Sequence, residues 1–118
     1  NDKYISQAVL IGDQRNYISA LIVPNFDNLN RWAGYKKLHF ASPAELIQHP
    51  MVLAKVGSRL ERVNEQLSNY ERIKKFALLD HEMTLEGGEL TPSLKVKRRV
   101  VNQMYADRIE AMYGEPKA

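Results

Sequence analysis

Ala8-Val9-Leu10-Ile11-Gly12-Asp13-Gln14-Arg15-Asn16-Tyr17-Ile18-Ser19-Ala20-Leu21-Ile22-Val23-Pro24 contains two short β-forming runs, Ala8 to Ile11 and Ser19 to Val23, on either side of a cluster of turn formers. The cluster is Gly12 to Asn16, so the two runs read as a β-hairpin that Pro24 ends. After the hairpin, Asn25 or Asp27 is placed to cap a short helix with Leu29, Trp32 and Ala33 at helical spacing, its end near Gly34 or Lys36-Lys37. Ser42-Pro43-Ala44-Glu45 has the form of a capping box with proline at the first helical position. Pro50 interrupts that helix and starts another, whose Leu53, Val56, Leu60, Val63 and Leu67 predict one buried face, with Lys55, Arg59, Arg62 and Glu65 turned to solvent.

Ser68-Asn69 breaks the periodicity, and Ile73 to Leu79 supplies a third strand to join the hairpin. Met83 to Leu90 is expected to fold back around Gly87-Gly88 as a minor β-ribbon, since glycine permits the positive φ of a tight turn. From about Lys97 one final helix is expected to present Val101, Met104, Tyr105, Ile109, Met112 and Tyr113 on one side and to end near Gly114 and Pro116. The fold class is therefore α+β: a small three-stranded sheet with flanking helices.

The 118 residues, 44% apolar and 26% charged, suffice for one separately folding, monomeric domain. Without cysteine there is no disulfide, thiolate metal site or cysteine nucleophile, and a reducing, cytoplasmic setting fits. No apolar run reaches the roughly 18 residues of a membrane span, and a chain opening on Asn1 reads as trimmed. His39, His49 and His81 are too dispersed for a recognised ligand spacing, so no metal site is expected. Neither Walker nor GxGxxG spacing is present, which argues against a self-sufficient ATP enzyme.

A net charge of +3 is too small to imply nucleic acid, but the placement of the cations matters. Lys74-Lys75 form one pair, and Lys95, Lys97, Arg98 and Arg99 crowd the approach to the last helix. Cations there oppose the helix macrodipole by roughly 0.3–1 kcal/mol each. Glu86 and Glu89, a phosphate-bearing ligand, or the surface of another domain are the candidates to offset them. Lys95 also has a bland reading, as a surface lysine before a solvated first turn.

The run Gly87-Gly88-Glu89-Leu90-Thr91-Pro92-Ser93-Leu94-Lys95 resembles the C-terminal lysine motif of the adenylate-forming (AMP-binding) enzymes, in the form used by long-chain fatty acid–CoA ligases. Val9 to Asp13, Ser19 to Phe26, Leu29 with Trp32-Ala33, and Tyr70 to Phe76 look like further blocks of the same domain in the same order. The resemblance implies that residues 1–118 are a single C-terminal lid domain of a parent ligase whose N-terminal AMP-binding domain and hinge lie outside this chain. Such a parent activates a fatty acid with ATP and Mg²⁺ to acyl-AMP, then forms acyl-CoA from CoA. Its setting would be cytoplasmic, with peripheral membrane association an added expectation.

On the same resemblance Lys95 is the catalytic residue, a fixed cation between the carboxylate and the α-phosphate. Gly87, Gly88, Glu89, Thr91, Pro92 and Ser93 would shape its loop, and Lys97, Arg98 and Arg99 are candidate anion contacts. Many relatives carry glycine just before this lysine, where Leu94 stands here, as in the long-chain subgroup. The fragment alone is expected to be inactive and to bind no cofactor of its own. Two other classes remain: a basic nucleic-acid-binding domain using Lys95 to Arg99, and a non-catalytic interaction module using Tyr105, Met112 and Tyr113 as its face.

Overall fold

The computed structural model describes residues 2–13 and 15–114, so Gln14 of the hairpin loop and the expected stop at Pro116 lie outside the described residues. β1 (Ile5–Ile11) and β2 (Ile18–Pro24) form the hairpin, antiparallel, with Val9 opposite Leu21 and Ile11 opposite Ser19. β3 (Ile73–Leu78) lies parallel to β2, Ile22 against Leu78, giving a mixed sheet in the order β1-β2-β3. A parallel neighbour needs a crossover. The crossover is made by α1 (Phe26–Tyr35), α2 (Pro43–Leu46) and α3 (Pro50–Asn64), followed by a 3₁₀ turn at Asn69–Glu71.

β2 is the central strand, and both of its faces are covered, which is why Ala20-Leu21-Ile22-Val23 is apolar without alternation. On one face Ala20 and Ile22 pack with Leu29, Leu46, Val52, Val56, Leu60 and Leu78. On the other, Leu21 and Val23 join Val9, Ile11, Leu79, Met83, Leu90, Val101, Tyr105, Ile109 and Met112. That second core carries α4 (Arg98–Met104) and α5 (Ala106–Tyr113). Tyr113 locks it to the sheet: its hydroxyl accepts from Ser19 Oγ at 2.9 Å and lies 2.8 Å from the carbonyls of Ile11 and Tyr17.

The helix starts follow the sequence chemistry. Asn25 Oδ1 accepts from the Asn28 N–H, Ser42 Oγ accepts from the Glu45 N–H, and Pro50 opens α3. His49 is the cap of α3, its Nδ1 accepting from the Met51 N–H at 3.1 Å.

Four expectations are corrected. The buried stripe of α3 is Val52, Val56, Leu60 and Asn64, while Leu53 and Val63 are exposed, so the two ends of the face are displaced by one position in opposite directions, and Leu67 lies beyond the helix, which ends at Asn64. Asn64 belongs inside because its amide bonds both backbone groups of Ile73, at 2.8 and 2.9 Å, joining α3 to the start of β3. Lys55 and Arg59 are half-buried over the ring of Tyr4, and Arg59 pairs with Asp2 at 2.8 Å, so they are packing residues rather than solvent-facing ones. The single final helix is broken at Tyr105, and Met104, expected inside, is half exposed. The minor β-ribbon is reduced to one bridge, Leu90 with Val96, folded about Pro92 to Leu94 rather than about Gly87-Gly88.

Candidate functional site

The bridge at Leu90 and Val96 is the base of a three-residue hairpin loop. Lys97 N–H donates to the Glu89 carbonyl and Thr91 N–H to the Lys95 carbonyl, both at 2.8 Å. Within the loop Leu94 N–H donates to the Thr91 carbonyl, and Thr91 Oγ1 accepts from the Lys95 N–H at 3.0 Å while meeting Ser93 Oγ at 3.1 Å. Thr91, Pro92 and Ser93 therefore make one tight turn, with proline suited to its second position. The next residue, Leu94, has φ of 64°, the left-handed conformation that closes three-residue hairpins and costs an ordinary side chain roughly 1–2 kcal/mol. Glycine would take this conformation without that cost. Leu94 occupies it without a shelter, 69% exposed.

The pleat sets the direction of the lysine. Leu90 is buried and Val96 is packed against the core, so the residues flanking Val96, Lys95 and Lys97, face outward, and both are exposed. Arg98 and Arg99 follow at the start of α4. Arg98 is committed locally, its Nη1 donating to the Leu10 carbonyl at 2.7 Å and tying α4 to the end of β1. The structure thus holds Lys95 at the foot of a closed turn and spends Arg98 on the fold.

Glu89 departs from its expected place. It is 1% exposed, beneath the hairpin, with the Thr84 N–H at 3.2 Å and the Tyr105 hydroxyl donating to its carboxylate. Burial, and then the hydrogen bond and charge of Glu89, raise the Tyr105 phenol far above the ordinary tyrosine range, so it stays a donor. His81 adds Nε2 at 3.0 Å from the Tyr105 hydroxyl, and its Nδ1 meets Asp80 Oδ1 at 2.6 Å. Gly87 leaves the space for this carboxylate, since a Cβ there would strike Glu89 Oε1, and Gly88 takes a φ of 94°. Glu89 is accordingly not the partner of the cations at α4. Tyr105 and His81 gave no sequence signal of their own: one belongs to an apolar stripe, the other to a lone histidine.

Tyr105 and Met112 are buried and Tyr113 is held by the sheet, which removes the exposed aromatic face required by an interaction module of that kind. Among the described residues no group of three or more His, Asp or Glu converges as a metal centre would require, and no helix is long and apolar enough to cross a membrane.

The structure is thus an α+β domain, a mixed three-stranded sheet covered by helices on both faces, with an outward lysine on a Thr-Pro turn. Residues 1–117 match the family model of the AMP-binding enzyme C-terminal domain, and the chain belongs to that family. A long-chain-fatty-acid–CoA ligase of Mycobacterium tuberculosis, FadD15, is 38% identical over 112 residues, covering 94% of this chain and 19% of its own length. The human long-chain-fatty-acid–CoA ligase ACSBG2 is 30% identical, covering 92% of this chain and 19% of its own length. The chain thus spans about a fifth of these relatives. Among solved structures, the adenylation domain of a carboxylate reductase from Mycobacterium chelonae superposes with a TM-score of 0.72 at 23% identity, over 95% of this chain and 16% of the other. The A-PCP didomain of a carboxylic acid reductase from Segniliparus rugosus, in complex with AMP, gives a TM-score of 0.69 at 26% identity, over 93% and 14%.

Proposed function

We propose that residues 1–118 are the C-terminal domain of a long-chain fatty acid–CoA ligase, with an AMP-binding N-terminal domain and a hinge completing the enzyme. In that parent the fatty acid carboxylate attacks the α-phosphorus of ATP, giving acyl-AMP and pyrophosphate; the thiol of CoA then displaces AMP to give acyl-CoA. ATP and Mg²⁺ belong mainly to the N-terminal domain. This chain contributes Lys95, whose ammonium lies between two anions that would otherwise repel each other, and so acts by position and charge rather than by proton transfer.

The observation that carries the reading is the closed Thr91–Lys95 turn, which directs an exposed lysine away from its own core. The naming of the relatives as ligases supports the acyl substrate. The two half-reactions test it. In the full-length parent, Lys95→Ala is expected to slow acyl-adenylate formation about 10²–10³-fold. Thioester formation from preformed acyl-adenylate should stay within a few-fold, and Lys95→Arg should rescue poorly because a planar guanidinium replaces an ammonium. Equal loss in both halves would remove the assigned role, and pyrophosphate release by the pure 118-residue chain would remove the lid reading.

A further inference from the structure

A carboxylate buried among apolar side chains is costly unless every oxygen finds a donor, so Glu89 needs a reason to be where it is. Its two chemical ends act on different strands of the hairpin. The side chain holds the incoming strand, through Thr84 and Tyr105, to the break between α4 and α5. Its own carbonyl holds the outgoing strand, through the Lys97 N–H, two residues beyond Lys95. A hairpin gripped at both strands by one residue has little freedom to swing.

The grip extends to the surface. Tyr105 has one hydroxyl proton and gives it to Glu89, so the phenolic oxygen accepts from His81 Nε2. His81 Nδ1 in turn meets Asp80 Oδ1 at 2.6 Å, which fixes the plane of the ring. His81 also lies 3.8 Å from Glu89 Oε2, and it lines a cavity of about 380 Å³ shared with Asp27, Asp80 and Glu82. The file Asp80, His81, Tyr105, Glu89 runs from solvent to the base of the lysine loop.

We propose that Tyr105 and His81 are positioning residues for Lys95, fixing through Glu89 the orientation in which the hairpin presents its lysine. This rests on the role of Lys95 given above. Neither residue touches the reacting atoms. The raised phenol supports the arrangement, since it keeps Tyr105 a donor throughout the working range.

The test uses Tyr105→Phe, which removes one oxygen and keeps the ring, and His81→Leu and His81→Gln at a position 55% exposed in its side chain, where folding is not at stake. In the 118-residue chain, amide exchange at Thr91 and Lys97 should quicken in Tyr105→Phe and His81→Leu by about tenfold or more beyond any change at Leu21, whose amide in the central strand reports global opening. His81→Gln, which retains an N–H donor, should recover most of the protection. In the full-length parent, Tyr105→Phe should lower kcat for acyl-adenylate formation about tenfold with KM for ATP and fatty acid unchanged, and spare thioester formation from preformed acyl-adenylate. Lys95→Ala is run beside it. If Lys95→Ala spares adenylation, the functional reading fails, and the exchange data alone decide whether the file grips the hairpin. If Lys95→Ala abolishes adenylation but Tyr105→Phe changes neither exchange nor kcat, or slows both half-reactions equally, the positioning role is overturned.

Discussion

Gly87→Ala tests the buried carboxylate at its tightest point. Gly87 does not have a positive φ, so its backbone suits alanine, and the loss of unfolded-state freedom alone would stabilise the variant by about 0.4–1 kcal/mol. Space opposes this. The new Cβ would collide with Glu89 Oε1 and sit 3.0 Å from Thr84 Oγ1, the atom that accepts the Gly87 N–H at 2.8 Å. Glu89 must then turn away from the Thr84 N–H or from Tyr105, and a buried polar group left without its partner costs about 1–3 kcal/mol, more when charged. The net expectation is a loss of about 2–3 kcal/mol, a fall in Tm of roughly 8–12 °C for a chain of this size. Gly34→Ala is the control, with nothing within 4 Å of its Cβ near the end of α1, and should gain up to about 1 kcal/mol. Thermal melts of both variants, and of Gly87→Ala in a Glu89→Ala background, decide the matter. If Gly87→Ala costs as much without the Glu89 carboxylate as with it, the collision is not the cause and the reasoning fails.

Two further outcomes follow from the structure. Val52→Ala, fully buried, should cost about 2 kcal/mol by lost burial and the cavity left behind, whereas Val63→Ala, 42% exposed, should stay within about 0.5 kcal/mol; equal costs in urea melts would restore the face read from the sequence. The Asp2 carboxyl is held below its usual value near 3.8 because, against partial burial, the Tyr4 N–H and the Arg59 guanidinium favour its charged form. Its contribution is therefore complete above that value and lost as pH falls through the lower folded one, so the stability gap between wild type and Asp2→Asn should shrink steadily as pH is lowered from 3.8; a gap that stays constant across that acid range would refute the pairing.

What the sequence revealed of the fold was what local chemistry controls. The hairpin, the Asn25 and Ser42 caps and the Pro50 start each depend on residues within a few positions, and each is in place. The displaced ends of the α3 face were hidden because Leu53 and Val63 satisfy helical spacing as well as Val52 does. What selected the true face was distant: β3, whose Ile73 needs the amide of Asn64, and Tyr4, which draws Lys55 and Arg59 inward. The break at Tyr105 was invisible for the same reason, since Val101, Tyr105 and Ile109 keep a four-residue interval straight across it.

The lysine loop divides along the same line. Thr91, Pro92, Ser93 and Lys95 form a turn by bonds among themselves, so the motif could be read directly. Glu89 could not, because its partner Tyr105 lies 16 residues away and a glutamate beside glycines reads as surface. Its burial changes the electrostatic argument about the cations that follow. α4 has only seven residues, and Arg98 donates to the Leu10 carbonyl, so the unfavourable dipole is small and one of the three charges already has an acceptor. An anion is therefore not needed to explain Lys97, Arg98 and Arg99. Lys95 is different: it belongs to the turn rather than to the helix, faces away from the core, and is carried by a strained Leu94 and a buried Glu89. Strain and buried charge both work against stability, and their convergence beneath one outward lysine is the structural argument for the role proposed above for Lys95 rather than for the basic cluster as a whole.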